Sequence, residues 1–411
     1  MKKKTVALLL SACLVFAGCN SNDTKEKETE KELILVSAEP IEDSAEADNG
    51  EGEAENTNQS EENKEEKNEE ETVEETTEES SEETKEEPIN TEGMYRSELT
   101  NEWIDEQYKD QRPVAILVDN ELYALPHYGV NSADVVYEMM NSTANGRITR
   151  LMCIKKDWQN ITQFGSIRSA RPTNFLIAAE WNAIVIHDGG PFYIDDYVAR
   201  KYTNNLSGGF ARYSNGKAAE FTEYVTYEDY TNTSKGKTYD GLKDRLAATK
   251  YSQTYNEYYP GNHFSFSDST VDLSNESGVI EAKEIDLPFY HNGSKLFYNE
   301  DTKMYEYYEY GEYHVDPVDD NKVTSFKNLI IQGTSFHRYD DLGYMIYNVV
   351  GSGNQGYFVT EGKAIPISWS KAEETAVTVY KKQDGQEINL NTGKTYIAIV
   401  PDDSWSDLKI K

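Results

Sequence analysis

Basic residues are scarce in this chain: 40 Lys and Arg stand against 74 Asp and Glu among 411 residues, a formal net charge of −34. With no basic stripe to neutralise phosphates, nucleic acid is not expected as a partner. Cysteine is scarcer still, at three residues. Cys13 and Cys19 lie in the first twenty positions, which leaves Cys153 alone in a strand-like run, so the body is expected to hold no disulfide. A lone buried thiol is more often a small hydrophobe than a nucleophile. His-Glu-x-x-His, Cys-x-x-Cys, P-loop and Gly-x-Ser-x-Gly patterns are all missing, so no metal ligand set and no cofactor is expected. The carboxylates of Asp316 to Asp320 lack the spacing of a calcium loop and read as a solvated turn.

The N-terminus carries the clearest signal. Lys2, Lys3 and Lys4 precede an apolar run from Val6 to Phe16, too short for a permanent membrane helix, and Ala17-Gly18-Cys19 follows. Residues 1 to 19 therefore read as a bacterial lipoprotein signal, with Phe16 where leucine is usual. Cys19 would become the mature N-terminus and carry a diacylglyceryl thioether with fatty chains such as palmitate, two chains being enough for stable anchoring. The expected location is the extracytoplasmic face of the cell membrane. Residues 20 to 92 read as a disordered acidic tether: Ser21 to Asn90 holds 28 acidic and 6 basic residues, no aromatic one, and only Leu33 to Val36 as an apolar island. A neutral coil of that length would span on the order of 50 Å, and self-repulsion should lengthen it.

The remaining chain is long enough for two domains with cores of their own. Over residues 93 to 259, β-rich runs at Val114 to Val118, Ala133 to Met140, Ile148 to Ile154 and Ala183 to His187 interleave with helical stretches at Pro172 to Trp181 and Gly241 to Tyr251. That order predicts an α/β (α+β) domain with a mixed sheet. Pro260-Gly261 interrupts the pattern, and residues 260 to 411 read as a mostly antiparallel β domain. Its runs include Tyr305 to Tyr310, Leu329 to Ile331, Met345 to Val350, Ala376 to Tyr380 and Thr395 to Val400, with Asp384-Gly385 as a hairpin turn.

The candidate site lies around Ile167-Arg-Ser-Ala-Arg-Pro172 and Ile184-Val-Ile-His-Asp-Gly-Gly190. Pro172 suits the first turn of a helix, which puts Arg171 at the cap and Arg168 and Ser169 just ahead. The helix dipole disfavours cations there, so the two arginines need an anion, supplied either by internal carboxylates or by a ligand such as phosphate or carboxylate. Asp119, Asn120, Asp134, Glu138 and Asp188 lie at or near strand ends and could pair with them or face the ligand. Arg147 and Arg150 are three apart and point to opposite faces of a strand, so at most one, taken as Arg150, joins the pocket. His187 could act as a general base beside Asp188 or cap its strand through a backbone bond, and Gly189 and Gly190 could let backbone approach a ligand.

From Arg112 to Pro401 the chain resembles the YerB-like lipoproteins, a family of unknown function. The resemblance rests on the two site segments together with Val350-Gly-Ser-Gly353, Trp369-Ser-Lys371 and Gly393-Lys-Thr-Tyr-Ile-Ala-Ile-Val-Pro401. It implies membership and says nothing of chemistry. The first functional reading is therefore a binding or scaffolding lipoprotein of the bacterial cell envelope, whose partner is an anionic wall component or an envelope protein. The alternative is a transferase or hydrolase acting on a phosphorylated wall substrate: Asp134 and Ser166-Ile-Arg168 resemble the Asp and Ser-Ile-Pro-Arg motifs of LytR-CpsA-Psr phosphotransferases, without the proline.

Overall fold

The computed structural model of the chain describes residues 91 to 411; the expected signal, Cys19 and residues 20 to 90 of the acidic segment lie outside the described residues. An eleven-stranded mixed sheet forms the frame. In chain order its strands are β1 (Val114–Asp119), β2 (Val135–Met140), β3 (Thr149–Lys155), β4 (Ile184–His187), β5 (Asn204–Ser207), β6 (Ile280–Glu281), β7 (Asn328–Thr334), β8 (Gly351–Thr360), β9 (Lys363–Lys371), β10 (Val379–Lys382) and β11 (Thr395–Pro401). In space they run β6-β9-β8-β7-β11-β2-β3-β1-β4-β5, with β10 beside β9. β11 pairs in parallel with β7 on one edge and β2 on the other. β1, β4 and β5 are also parallel to one another, and the remaining pairs are antiparallel.

The boundary expected near residue 260 therefore does not separate two sheets. Four of the strands foreseen before it are present, but strands from both sides of it share one sheet. The reason lies in β11: its seven residues are all buried, and a run with both faces and both edges covered has to be paired on both sides. Helix is a minor component of the described residues. The first helix, α1 (Pro172–Glu180), is the one expected, whereas the run expected from Gly241 to Tyr251 yields only Leu242–Ala247.

Each face of the central sheet is covered. On one, Phe175 and Ile177 of α1 pack with Leu117, Tyr137, Met152 and Ile399. On the other lies a six-stranded antiparallel sheet that includes Glu284–Asp286, Lys295–Asn299 and Met304–Glu309. Its Leu296, Tyr305 and Tyr307 meet Val136, Leu151, Tyr396 and Ala398. Tyr305 and Tyr307 are buried while Tyr308 is partly exposed, the ordinary alternation of a half-covered strand. Asp384-Gly385 forms the expected turn, with Gly385 at a φ of 86°. Asp316 departs from its expected place in a solvated turn: it is fully buried and accepts the backbone N–H groups of Gly129 and Asn131 at 3.0 and 2.9 Å, tying that loop to the two-stranded ribbon of Val315–Asp316 and Lys322–Val323. Burial pushes the Cys153 thiol up, in keeping with a small hydrophobe.

One carboxylate joins the two sheets. Glu138 of β2 is fully buried. Its Oε1 accepts from Thr149 at 2.8 Å, Ser294 at 2.7 Å, and the amides of Asn292 and Asn120 at 2.8 and 3.3 Å. Its Oε2 accepts from the hydroxyls of Tyr307 at 2.9 Å and Tyr396 at 2.5 Å. Such a network holds only while every donor has its acceptor. Glu138→Leu should lose more than about 3 kcal/mol, because several buried donors are orphaned at once. Glu138→Gln should lose less, since both tyrosine hydroxyls can turn to accept. Urea unfolding of the two variants checks the order, and equal losses would show that the carboxylate is not the organising acceptor.

Candidate functional site

The segment 166–170 is threaded between the carboxyl ends of two parallel strands. Asp119 N–H donates to Ser166 O at the end of β1, and Asp188 N–H to Arg168 O just past β4. Arg168, Arg171 and Arg150 converge there. Asp119 and Arg150 are paired across β1 and β3, so their side chains emerge on the same face of the sheet, the one that α1 covers. Arg168 Nε lies 2.9 Å from Asp119 Oδ2, and its Nη1 lies 3.5 Å from the half-exposed Glu220. Arg150 donates to Ser169 O at 2.5 Å, and Arg171 to Ala170 O at 3.0 Å.

Positive charge exceeds negative charge in this cluster. Asp119, fully buried, is the one buried carboxylate ion-paired to it among the described residues. The Nε atoms of Arg150 and Arg171 find no protein acceptor. Burial holds the Arg150 guanidinium down to about 9, with Arg171 and Arg168 adding repulsion, and holds Arg171 down to about 10. Burial pushes the Asp119 carboxyl up, against the pull of Arg150 and Arg168. A narrow cleft beside the cluster is lined by Asn141, Arg150, Arg171, Thr173, Asn174 and Met345, and it opens at the N-terminus of α1. Aromatic rings flank it. Arg171 sits 5.1 Å from the centroid of Tyr344 and Arg168 5.6 Å from that of Phe221. Tyr344 in turn meets Tyr193, which stacks on Tyr339 at 4.3 Å, and Phe192 beside it is 71% exposed.

Other expected site residues are elsewhere or otherwise engaged. Asn120 follows Asp119 and so points through the opposite face, where its amide donates to Thr149 at 2.9 Å and joins the Glu138 network. Asp134 lies at the far end of β2, about 16 Å along the strand from the residue facing Arg150; it accepts Lys156 N–H at 2.6 Å. Arg147, expected on the opposite face of Arg150's strand, lies instead in the turn ahead of it, at a φ of 61°, and forms a forked pair with Asp403 at 2.6 and 2.8 Å. His187 Nδ1 meets Gly189 O at 2.7 Å and its Nε2 meets the Asn205 amide at 3.0 Å, so both nitrogens are hydrogen-bonded within the protein. Burial lowers its pKa. Asp188 pairs with Arg212 at 3.2 Å and not with the arginine cluster. The Gly190 close approach is to protein: a Cβ there would lie 2.4 Å from Ile194 and 3.1 Å from Ala170 O. Gly189, at a φ of 69°, turns its carbonyl to His187 and to Ala170 N–H. Ser169 contributes its carbonyl to Arg150.

Three residues outside the expected set also come together. His127, Glu309 and His314 are buried, with metal-capable atoms all within 4.8 Å of one another. Two of them stand more than 180 positions from the first. No spacing motif marks them, and the one available signal was the rarity of histidine.

Asp119→Asn should leave three guanidinium groups without a buried counter-charge and lose about 3 kcal/mol or more in urea unfolding, a loss that added phosphate partly restores. Loss without phosphate rescue would show an internal ion pair only. A second expectation concerns Asp134, whose carboxyl burial pushes from 3.8 up to about 7, aided by Asp157 and opposed by Lys155. The folded state holds that proton to higher pH than the unfolded chain, so this group favours folding in acid and withdraws that support as pH rises through about 7. Asp134→Asn should flatten the fall in urea midpoint between about pH 4 and 7; an unchanged slope would place the proton on another group.

Two family models match the chain, both described as protein of unknown function (DUF3048): the N-terminal domain over residues 99–241 and the C-terminal domain over residues 285–397. YerB of Bacillus subtilis (strain 168), named as a lipoprotein, is 28% identical over 317 residues, covering 75% of this chain and 86% of the relative. The crystal structure of YerB from Bacillus subtilis superposes with a TM-score of 0.61 at 20% identity, over 77% of this chain and 99% of that structure, a likeness of fold. With more than half of its residues matched by the paired N- and C-terminal models and the same fold in a relative, the chain belongs to the YerB-like DUF3048 family of unknown function.

Proposed function

We propose that this chain is a lipid-anchored binding protein of the bacterial cell envelope, which uses Arg150, Arg168 and Arg171 to hold an anionic, sugar-bearing wall component. The carrying observation is the excess of guanidinium over carboxylate in a largely buried cluster: one buried carboxylate faces three cations, and two Nε–H groups have no protein acceptor. A phosphate or carboxylate at the mouth of α1 would take those donors and meet the positive end of the helix. Tyr344, Tyr193, Tyr339 and Phe192 offer flat faces beside the charge, suited to a sugar ring. Anchoring is supported by Ala17-Gly18-Cys19 after its short apolar run, and by the naming of YerB as a lipoprotein.

A transferase or hydrolase reading has less behind it. Ser166 is fully buried, and Asp134 is at the other end of the sheet from Arg168. In the Cys19→Ser protein, which cannot be acylated, teichoic acid fragments should raise the melting temperature, and inorganic phosphate should do so more weakly. The shift should vanish in Arg150→Met/Arg171→Met, whose own melting point should be equal or higher because two buried cations with no carboxylate partner are gone. A double variant that melts far earlier, or a wild type that responds to neither anion, would overturn the anion site.

A further inference from the structure

We propose that His127, Glu309 and His314 form a binding site for a divalent first-row metal ion of the zinc class, on the face of the central sheet opposite the arginines. His127 Nδ1 and His314 Nε2 are 2.9 Å apart, and each lies 3.9 Å from Glu309 Oε1. The side chains arrive from three places: the loop after β1 (His127), the last position of Met304–Glu309, and the residue after Glu312–Tyr313. All three are at most 1% exposed. In the protein alone this arrangement is poorly satisfied. One N–H can lie between the two imidazoles, and Glu309 Oε1 is left buried with no hydrogen-bond donor. A buried pocket that gathers three lone pairs and leaves one of them without a donor is short of a cation.

The outer partners are those a metal site needs. His314 Nδ1 meets Thr324 Oγ1 at 2.8 Å, an arrangement that, with the proton on Nδ1, leaves the Nε2 lone pair aimed at Glu309 and His127. Glu309 Oε2 accepts from the Asn292 amide at 3.2 Å and lies 3.2 Å from the Tyr307 hydroxyl, whose single proton is shared between Glu309 and Glu138, and Oε1 is left free. Two imidazoles and one carboxylate are the donor set of a zinc site with three protein ligands and an open position. Binding requires His127 to carry its proton on Nε2 instead of Nδ1, a tautomer change with no net proton gained or lost by the imidazole. An open cleft is lined by Glu309 and His314 together with Leu122, Leu125, Pro126 and Tyr313, and it offers an entry path and a place for a fourth ligand. The site shares no ligand residue with the arginine cluster, so it stands or falls independently of the anion reading.

The test is a cobalt(II) titration of the purified full chain after treatment with, and removal of, a chelator. The expected result is one tight equivalent with the intense visible bands of a low-coordinate nitrogen and oxygen site, displaced by one equivalent of Zn²⁺. His127→Gln and His314→Gln should abolish those bands. Thr324→Val, which keeps all three ligands and removes only an outer partner, should retain the bands and weaken affinity roughly 10- to 100-fold. Far-UV circular dichroism of each metal-free variant separates loss of the site from loss of the fold, and Thr324→Val serves should a histidine variant not fold. Folded wild-type protein that takes up no stoichiometric cobalt would overturn the proposal. So would bands or affinity unchanged in the histidine variants, or only the weak spectrum of hydrated ions on the 28 acidic residues between Ser21 and Asn90.

Discussion

The fold depends on the placement of one strand. Thr395–Pro401 sits between β7 and β2, parallel to both, with every residue buried. Its backbone N–H and C=O groups are satisfied on both edges only when a strand from around residue 137 and another from around residue 331 stand on either side. The ladder that carries Glu138 and Arg150 is therefore completed by a segment about 250 residues further along the chain. Pairing at that separation requires closure of a very long loop before it contributes any contact, so the site-bearing part of the sheet does not mature independently of the C-terminal residues.

Alternation along the strands then sorts charge onto two faces. Asp119 and Asn120 are neighbours in sequence and are divided by the sheet: the first faces Arg150 and Arg168, the second joins Glu138. Guanidinium groups in excess gather under α1, while two carboxylates and two imidazoles gather under the six-stranded sheet. Each collection would be costly alone in a low-dielectric interior.

Local signals were legible where they depend on neighbours in the chain. Pro172 after two arginines marked the start of α1, and the apolar runs marked β1, β2, β3, β4 and β11, whereas the parity rule applied to Arg147 and Arg150 does not reach Arg147, which lies in the turn ahead of β3. The same parity rule would have separated Asp119 from Asn120, and Glu138 from Met139, the residue that faces Arg150. Asp134 was grouped with the arginines because it too sits beside a strand, but the antiparallel run of β3 places Arg150 opposite the far end of β2. Strand direction is not written in a run of valines.

What the sequence by itself determined is whatever follows from short-range chemistry: the acidic balance, the N-terminal lipoprotein pattern, the helix start at Pro172, and the two arginines that lack a local counter-ion. Only the tertiary structure decided that the two halves share one sheet, that Arg150 is the third cation, that His187 is occupied by Gly189 and Asn205, and that His127 meets Glu309 and His314. The physical reason is the same throughout. These contacts join residues up to several hundred positions apart whose order across the sheet is set by burying apolar faces and satisfying backbone groups over the whole domain, and no local periodicity records that order.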